Sequence, residues 1–337
     1  MLEILKQYNI TDFDTQPLGN GLINSTWLVT TLDKKYVLQK INTNVFKLPV
    51  DIAFNIDLVS IYLQLQNPNY LFTVPIKTIS NEAMVINDSN YYRLFAYIEN
   101  SHTIDVVTNA KQAFEAAKQF GKFTKNLNGF DATSLKITLP NFHNLQFRFE
   151  QFLAALQEGN KERIKEAQEL VEYLLQQKRI IDEFENRKKD FKVRVTHHDT
   201  KISNVLFDEQ NHGLCVIDLD TVMPGYFISD VGDMFRTYLS PVNEEENDFT
   251  KIEIRPAFYK AIVDGYLGEM EEELTTTEKH SFDFAGEYVI YMQALRFLTD
   301  YLNDDIYYGC KYPVHNLVRA GNQIELLKKF IGFNDSN

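Results

Sequence analysis

The sequence predicts an α+β molecule of two lobes, a small N-terminal lobe mixing β-sheet with one helix and a larger, mainly helical C-terminal lobe. Three observations carry this expectation. Short β-rich runs cluster in the first hundred residues, and helical spacing dominates after Glu99. Between two helical stretches, residues 195–232 read VTHHDTKISNVLFDEQNHGLCVIDLDTVMPGYFISDVG. There two apolar runs flank a polar turn, so a hairpin brings an Asp–Asn pair and a later Asp to one edge.

In chain order, residues 26–31 and 36–41 form the first hairpin around Leu32-Asp33-Lys34, and residues 84–86 and 91–98 the second around 87–90. Residues 50–66 lie between them as a helix, with Ile52, Ile56, Val59 and Leu63 near helical spacing. The boundary near residues 98–101 has no Pro/Gly-rich linker. The lobes, residues 1–98 for the nucleotide side and 99–337 for the catalytic loop and acceptor pocket, are therefore expected to share an interface with a ligand site between them. Helices follow over residues 109–127, 144–156 and 161–185, the last carrying Ile164, Ala167, Leu170, Val171, Leu174 and Leu175. Residues 205–207 and 214–217 are the two strands of the central hairpin, and residues 249–267, 278–302 and 316–330 complete the helices. There is no internal repeat and no low-complexity tract.

With 337 residues and 44% hydrophobic composition, the chain suits one bilobed enzyme with a substantial core. A net charge of −13 argues against nucleic acid as a partner, which needs a basic face. It leaves a nucleotide open, because a few local cations and backbone N–H groups hold phosphates. The N-terminal stretch lacks a basic region followed by a long apolar one, and no run approaches the roughly twenty apolar residues of a membrane span, so a soluble, cytoplasmic protein is expected. Cys215 and Cys310 then read as free thiols. Nothing in the sequence indicates the oligomeric state.

Phosphoryl transfer needs one carboxylate to orient a hydroxyl, and a carboxamide plus a second carboxylate to hold magnesium against the phosphates. The kinase catalytic loop writes this as H-x-D-x-x-x-x-N with a metal-binding Asp shortly after. His197, Asp199 and Asn204 fit, and Asp218 or Asp220 supplies the metal carboxylate. This pattern predicts a protein kinase-like bilobed fold. Two other readings compete, a buried polar hairpin with capping aspartates and a metal hydrolase built on His197, His198 and Asp199. The second is weakened because adjacent histidines in an extended segment point to opposite faces.

On the nucleotide side, residues 17–24 place Gly19 and Gly21 just before the first strand, where a sharp turn lets backbone approach phosphate oxygens. Asn24 stands where protein kinases carry a third glycine. A kinase also takes a cation from its third strand. Gln39 and Lys40 face opposite sides of that strand, so only one can face the phosphates, and charge favours Lys40. Lys201, two residues after Asp199, is a second cation placed to meet the transferring group. Residues 95–98 end the small lobe as a hinge, with Tyr97 and Ile98 offering backbone groups to an adenine edge.

Taken together, HHDTKISNVLF, VIDLDTVMPG and SDVGDMFR resemble the aminoglycoside phosphotransferase/choline kinase-like superfamily. LGNGLINSTWLV, YVLQKIN, YYRLFAYIENSHTID, RFLTDYLNDDIYYG and HNLVRAGNQ extend the resemblance to the N-acetylhexosamine 1-kinases over nearly the whole chain. The resemblance implies Asp199 as catalytic base, Asn204 and Asp218 as magnesium ligands with Asp220 a nearby alternative, and Asp230 as a brace of the catalytic loop. It implies that Arg296 and Tyr307, assisted by Asp300, line a sugar pocket. The implied reaction moves the γ-phosphoryl of ATP, with Mg2+, to the anomeric hydroxyl of an N-acetylhexosamine, the sugar being the one expected partner. Gln39 near the usual lysine and the missing third glycine depart from the pattern. Other readings remain for several residues: an Arg296–Asp300 pair at i, i+4, packing roles for Tyr307 and Tyr308, and an Arg236 pair with Asp233 or Asp230. For the whole chain, the acids of residues 243–248 and 303–305 keep open a kinase of cationic acceptors, such as amino alcohols or aminoglycosides. A nucleotide-binding protein without turnover is the rival of another class.

Overall fold

The computed structural model describes residues 1–19 and 23–336. Gly21, one of the two turn glycines, therefore lies outside the described residues. The chain opens with a short helix α1 (Leu2–Leu5) and a five-stranded antiparallel sheet of β1 (Asp14–Pro17), β2 (Ser25–Thr30), β3 (Lys35–Ile41), β4 (Val85–Asn87) and β5 (Asn90–Ala96), in the order β1-β2-β3-β5-β4. One face of this sheet closes on Ile4, Leu5, Ile10, Val29, Leu38, Val85 and Leu94, a small core of its own. The other face looks toward the helical lobe.

Helix α2 (Pro49–Gln66) starts at a proline, whose missing N–H costs nothing in the first helical turn. Its Ile52, Ile56, Val59 and Leu63 join the large core with Phe120 and Phe123 rather than the small one, so this helix belongs energetically to the helical lobe. Asn55, fully buried, fixes it there. Its Nδ2 donates to the carbonyls of Lys136 and Val222, each at 2.9 Å, and its Oδ1 accepts from the Lys136 N–H at 2.8 Å. Asn55→Ala is expected to cost about 2–4 kcal/mol, read by denaturant unfolding, because it strands several buried backbone groups. A loss below about 1 kcal/mol would mean that water replaces the amide.

The helical lobe contains α3 (Ala110–Asn126), α4 (Leu145–Glu158), α5 (Lys161–Glu166), α6 (Gln168–Gln176), α7 (Arg179–Arg187), α8 (Phe227–Tyr238), α9 (Pro256–Met270), α10 (Thr276–Lys279), α11 (Phe282–Leu302) and α12 (His315–Asn334). Among them run two small antiparallel sheets, the hairpin of β7 (Val205–Phe207) with β8 (Gly213–Val216) and, bracketing it in sequence, β6 (Arg194–Thr196) paired with β9 (Met223–Gly225). The 21-residue α11 is the lobe's axis and is buried along nearly its whole length.

Several elements differ from the sequence expectation. The single helix over 161–185 is three, broken at Ala167 and Gln177, whose backbones leave the helical range at ψ 10° and 11°. The helix expected from 249 begins at Pro256, which has no N–H with which to continue a preceding turn. Glu278 is not in the long helix but closes a capping box with Thr275, giving a separate short helix before α11. Helix α8 was not anticipated, although Phe227, Ile228, Val231, Met234, Phe235 and Tyr238 are spaced helically and buried. Gly232 in the middle of α8 lets it press against α11, since a Cβ there would fall 2.2 Å from the Ala285 carbonyl oxygen. Cys215 is buried in β8 and Cys310 is exposed, both as free thiols. Among the described residues, no helix is long and apolar enough to cross a membrane.

Candidate active site

The site is built on the loop between β6 and β7. His198 holds a left-handed backbone at φ 66°, which a non-glycine residue adopts only when its surroundings enforce it. The enforcing group is Asp230, in the first turn of α8. Its carboxylate accepts the N–H of His197 at 3.0 Å and of His198 at 2.7 Å. Burial pushes Asp230 up to about 6 against these bonds and the nearby His197. Asp233, one turn on, accepts the Thr200 N–H at 2.8 Å and is itself held by Arg236 at 2.9 Å. Arg236 thus pairs with Asp233 and not with Asp230. The β6–β9 strap lies close underneath, since a Cβ on Gly225 would meet His198 Cε1 at 2.3 Å.

So supported, the loop presents Asp199 to the cleft. Asn204 Nδ2 donates to the Asp199 carbonyl at 2.9 Å and to its carboxylate at 3.0 Å. Lys201 Nζ lies 3.1 Å from Asp199 Oδ2 and 4.0 Å from Asp218 Oδ2. Burial alone would raise Asp199, but Lys201, His197 and Asn204 outweigh it and hold the carboxyl below its usual range. Asp218 goes the other way, to about 6, through burial and the nearby charge of Asp220 and Asp199. Its backbone is left-handed, at φ 61°. The structure therefore brings together Asp199, Lys201, Asn204 and Asp218, with the lysine ammonium between two carboxylates.

Those groups suit a magnesium ion. A hard cation takes oxygen ligands, commonly one or two carboxylates with waters and phosphate oxygens completing the shell. Asp218 and the Asn204 carbonyl oxygen are such donors. No cluster of three His, Cys, Asp or Glu side chains of metal-binding geometry occurs among the described residues. The two histidines have separate engagements, His197 Nε2 with the Ile217 carbonyl at 2.9 Å and His198 Nε2 with Thr196 Oγ1 at 2.7 Å. A metal hydrolase built on them is not supported.

Three expected site residues stand elsewhere than the sequence suggested. Asp220 is nearly fully buried and paired with Arg93, its Oδ1 2.5 Å from the guanidinium, so its charge is already balanced. Lys40 lies on the sheet face that carries Leu38 and the small core, whereas Gln39 faces the helical lobe, because strand alternation divides the two. Asp300 makes no pair with Arg296. Its carboxylate accepts the N–H groups of Tyr307 at 2.7 Å and Tyr308 at 2.9 Å and the Asn316 amide at 3.1 Å, folding the loop after α11.

The remaining assignments can be located. Gly19 has φ 72° with open space where a side chain would be. Asn24 Nδ2 donates to Asp220 Oδ2 at 2.8 Å and its Oδ1 accepts the Asn42 N–H at 3.0 Å. Tyr97 N–H donates to the Lys35 carbonyl at 3.2 Å, and the Ile98 carbonyl accepts from Ser101 Oγ at 2.6 Å. Arg296 lies over the rings of Phe142 at 5.2 Å, Tyr308 at 5.5 Å and Tyr307 at 6.0 Å. Tyr307 meets Tyr308 edge to face at 4.8 Å and is itself exposed, while Tyr308 packs on Phe297. Sequence reasoning missed Arg93, Phe142, His143 and Arg148. Arg93 carried a signal, a charge in the middle of the apolar strand YYRLFAY. The others come from segments whose approach to the site is purely tertiary.

The lobes, the strand order and the aspartate–asparagine loop define a protein kinase-like phosphotransferase fold. Three solved structures share it. An aminoglycoside phosphotransferase from Alicyclobacillus acidocaldarius matches at 13% identity, TM-score 0.66, covering 99% of this chain and 96% of that one. A spectinomycin phosphotransferase in complex with ADP and spectinomycin matches at 14% identity, TM-score 0.60, covering 98% and 97%. A choline kinase from Cryptosporidium parvum matches at 13% identity, TM-score 0.56, covering 98% and 93%. Residues 14–275 match the phosphotransferase enzyme family APH, and the chain belongs to that family. It is a small-molecule kinase.

Proposed function

We propose that the protein transfers the γ-phosphoryl of ATP to the anomeric hydroxyl of an N-acetylhexosamine, giving the sugar 1-phosphate. The observation that carries the choice of acceptor is the charge of the pocket wall. Arg296 bonds to the Gln293 amide oxygen at 3.2 Å and to no carboxylate among the described residues, and Arg148 bonds to Gln151 and the Phe142 carbonyl rather than to an acid. Burial and the neighbouring Arg296 bring Arg148 down to about 10. The acids that would suit a cationic acceptor are all engaged. Glu244 holds Arg236 and Arg319, Glu245 holds Lys311, and Asp305 holds Arg163. A wall with two unbalanced guanidinium groups repels choline, ethanolamine and aminoglycosides. It accepts the carbonyl oxygen of an acetamido group, and Tyr307 and Phe142 offer ring faces to a sugar. Phe142 and His143 link this wall to the catalytic loop, His143 Nδ1 lying 3.1 Å from His198 Nδ1.

In this reading the ionised Asp199 accepts the anomeric proton. That hydroxyl is more acidic than an ordinary alcohol because the ring oxygen withdraws charge. Its oxygen forms a bond to the γ-phosphorus as the bond to the β-phosphate oxygen breaks, and ADP leaves. Lys201 balances charge on the moving group. Magnesium, held by Asn204 and Asp218, would neutralise the phosphates when bound. Positioning by the braced loop supplies most of the rate. Gly19 and Asn24 form the turn over the phosphates, and Tyr97 and Ile98 form the adenine-side hinge.

The test is an ADP-release screen with ATP and magnesium over N-acetylglucosamine, N-acetylgalactosamine, choline, ethanolamine and an aminoglycoside, followed by phosphorus NMR of the product. Turnover with an acetamido sugar and phosphate on C1 is expected. Preference for a cationic acceptor would sink the reading, and ATP binding without acceptor-dependent release would favour a protein without turnover. Arg296→Met is expected to raise the acceptor KM about 10–100-fold with the ATP KM unchanged, the loss of one charge-assisted hydrogen bond. Equal shifts in both constants would indicate a general structural effect instead.

A further inference from the structure

We propose that Arg93 is the cation of the nucleotide site, supplying from β5 the charge that protein kinases take from a third-strand lysine. The inference rests on the ATP-dependent reading above. On β3 the residue facing the helical lobe is the neutral Gln39, and Lys40 lies on the other face of the sheet, half-buried beside the small core. The antiparallel register sets Gln39 directly opposite Arg93, so both project from the same face of the sheet. Gln39 Oε1 accepts from Arg93 Nε at 3.1 Å and Nη2 at 2.9 Å, which turns the guanidinium toward Asp220.

Asp220 makes this more than a local pair. It stands two residues after Asp218, and Asn24, at the exit of the glycine turn, donates to its other oxygen at 2.8 Å. One buried carboxylate thus gathers Asn24, the fifth strand and, through Arg93, Gln39 of the third strand beside the Asp218 segment. The Arg93–Asp220 contact is close, at 2.5 Å, but Asp220 Oδ1 receives no hydrogen bond among the described residues. The contact runs from Nη2 to Oδ1, while Nε and the same Nη2 also serve Gln39. Of its nitrogens Nη1 is the one with no hydrogen-bond partner among the described residues, and although the side chain is only 2% exposed, the anion that this donor would meet at the lobe boundary is a nucleotide phosphate. Arg93 would then hold the sheet against the Asp220 segment and neutralise phosphate charge together.

A purely structural role, in which Arg93 only balances Asp220, makes a different prediction. Nucleotide affinity should be measured by calorimetry with ATP–magnesium, beside thermal melting and acceptor kinetics. Because Arg93→Met alone leaves a buried unpaired carboxylate and can unfold, the decisive variant is Arg93→Met with Asp220→Asn, which removes both charges. We expect it to melt near the parent yet bind ATP–magnesium at least about tenfold more weakly, with the acceptor KM little changed. Exchanging the pair, Gln39→Lys with Arg93→Gln, should recover most of the affinity, and Lys40→Ala should not alter it. Parental affinity in the charge-free double variant, or an equal loss in Lys40→Ala, would overturn the assignment. Absence of ATP binding by the parent protein would instead remove the reading beneath it.

Discussion

Replacing Asp199 with Asn is expected to lower kcat by about 10²–10⁴-fold, with ATP affinity close to that of the parent. The substitution keeps shape and removes only the proton-accepting charge. The loop should survive it. Asn204 also bonds to the backbone carbonyl of residue 199, and Asp230 grips the two preceding N–H groups. Lys201 loses a partner at 3.1 Å but retains Asp218. The measurement is steady-state ADP release with N-acetylglucosamine, beside a nucleotide titration. Turnover within about threefold of the parent would remove Asp199 from the role of base, since a positioned general base contributes at least about a hundredfold. A parallel loss of ATP binding would point to a collapsed loop.

Asp218→Asn is the second large effect, a fall in kcat/KM of about 10³-fold at fixed magnesium. A metal ion supplies several kcal/mol of charge stabilisation in phosphoryl transfer, and each 1.36 kcal/mol is about tenfold in rate. The position suits the experiment unusually well. Asp218 sits at φ 61°, and Asn is among the few side chains that tolerate a left-handed backbone, so the turn should persist with only the charge removed. The signature is a shift of the magnesium titration to higher concentration, with partial recovery of rate there. An unchanged magnesium dependence would mean that Asp218 is not a ligand. Asp220→Asn is no equivalent, because it strands the buried Arg93 guanidinium and acts on the fold as well.

The two lobes, the central hairpin and the aspartate–asparagine loop were legible because their signals are local. Alternation around residues 36–41 and 91–96, helical spacing in 110–126, and the offset from Asp199 to Asn204 are all read within one element. The helix break at Ala167 was not legible, since no glycine, proline or capping side chain marks it, whereas the short helix before α11 carries a local signal in the Thr275–Glu278 capping box. Residues 227–238 show that a periodic signal can also be overlooked when a glycine interrupts it, although that glycine serves the close contact with α11.

The sequence by itself determined which chemistry is possible here: a carboxylate, a carboxamide and a second carboxylate at kinase spacing. Tertiary structure alone decided which charges are free to act. Lys40, Asp220 and Asp300 looked available in the chain, but strand alternation turns Lys40 away, Arg93 balances Asp220, and two backbone N–H groups engage Asp300. Arg296 could have paired with Asp300 one turn away and instead faces aromatic rings. Spacing along a chain sets which groups exist, whereas burial and the partner met across the fold set whether a charge is already neutralised.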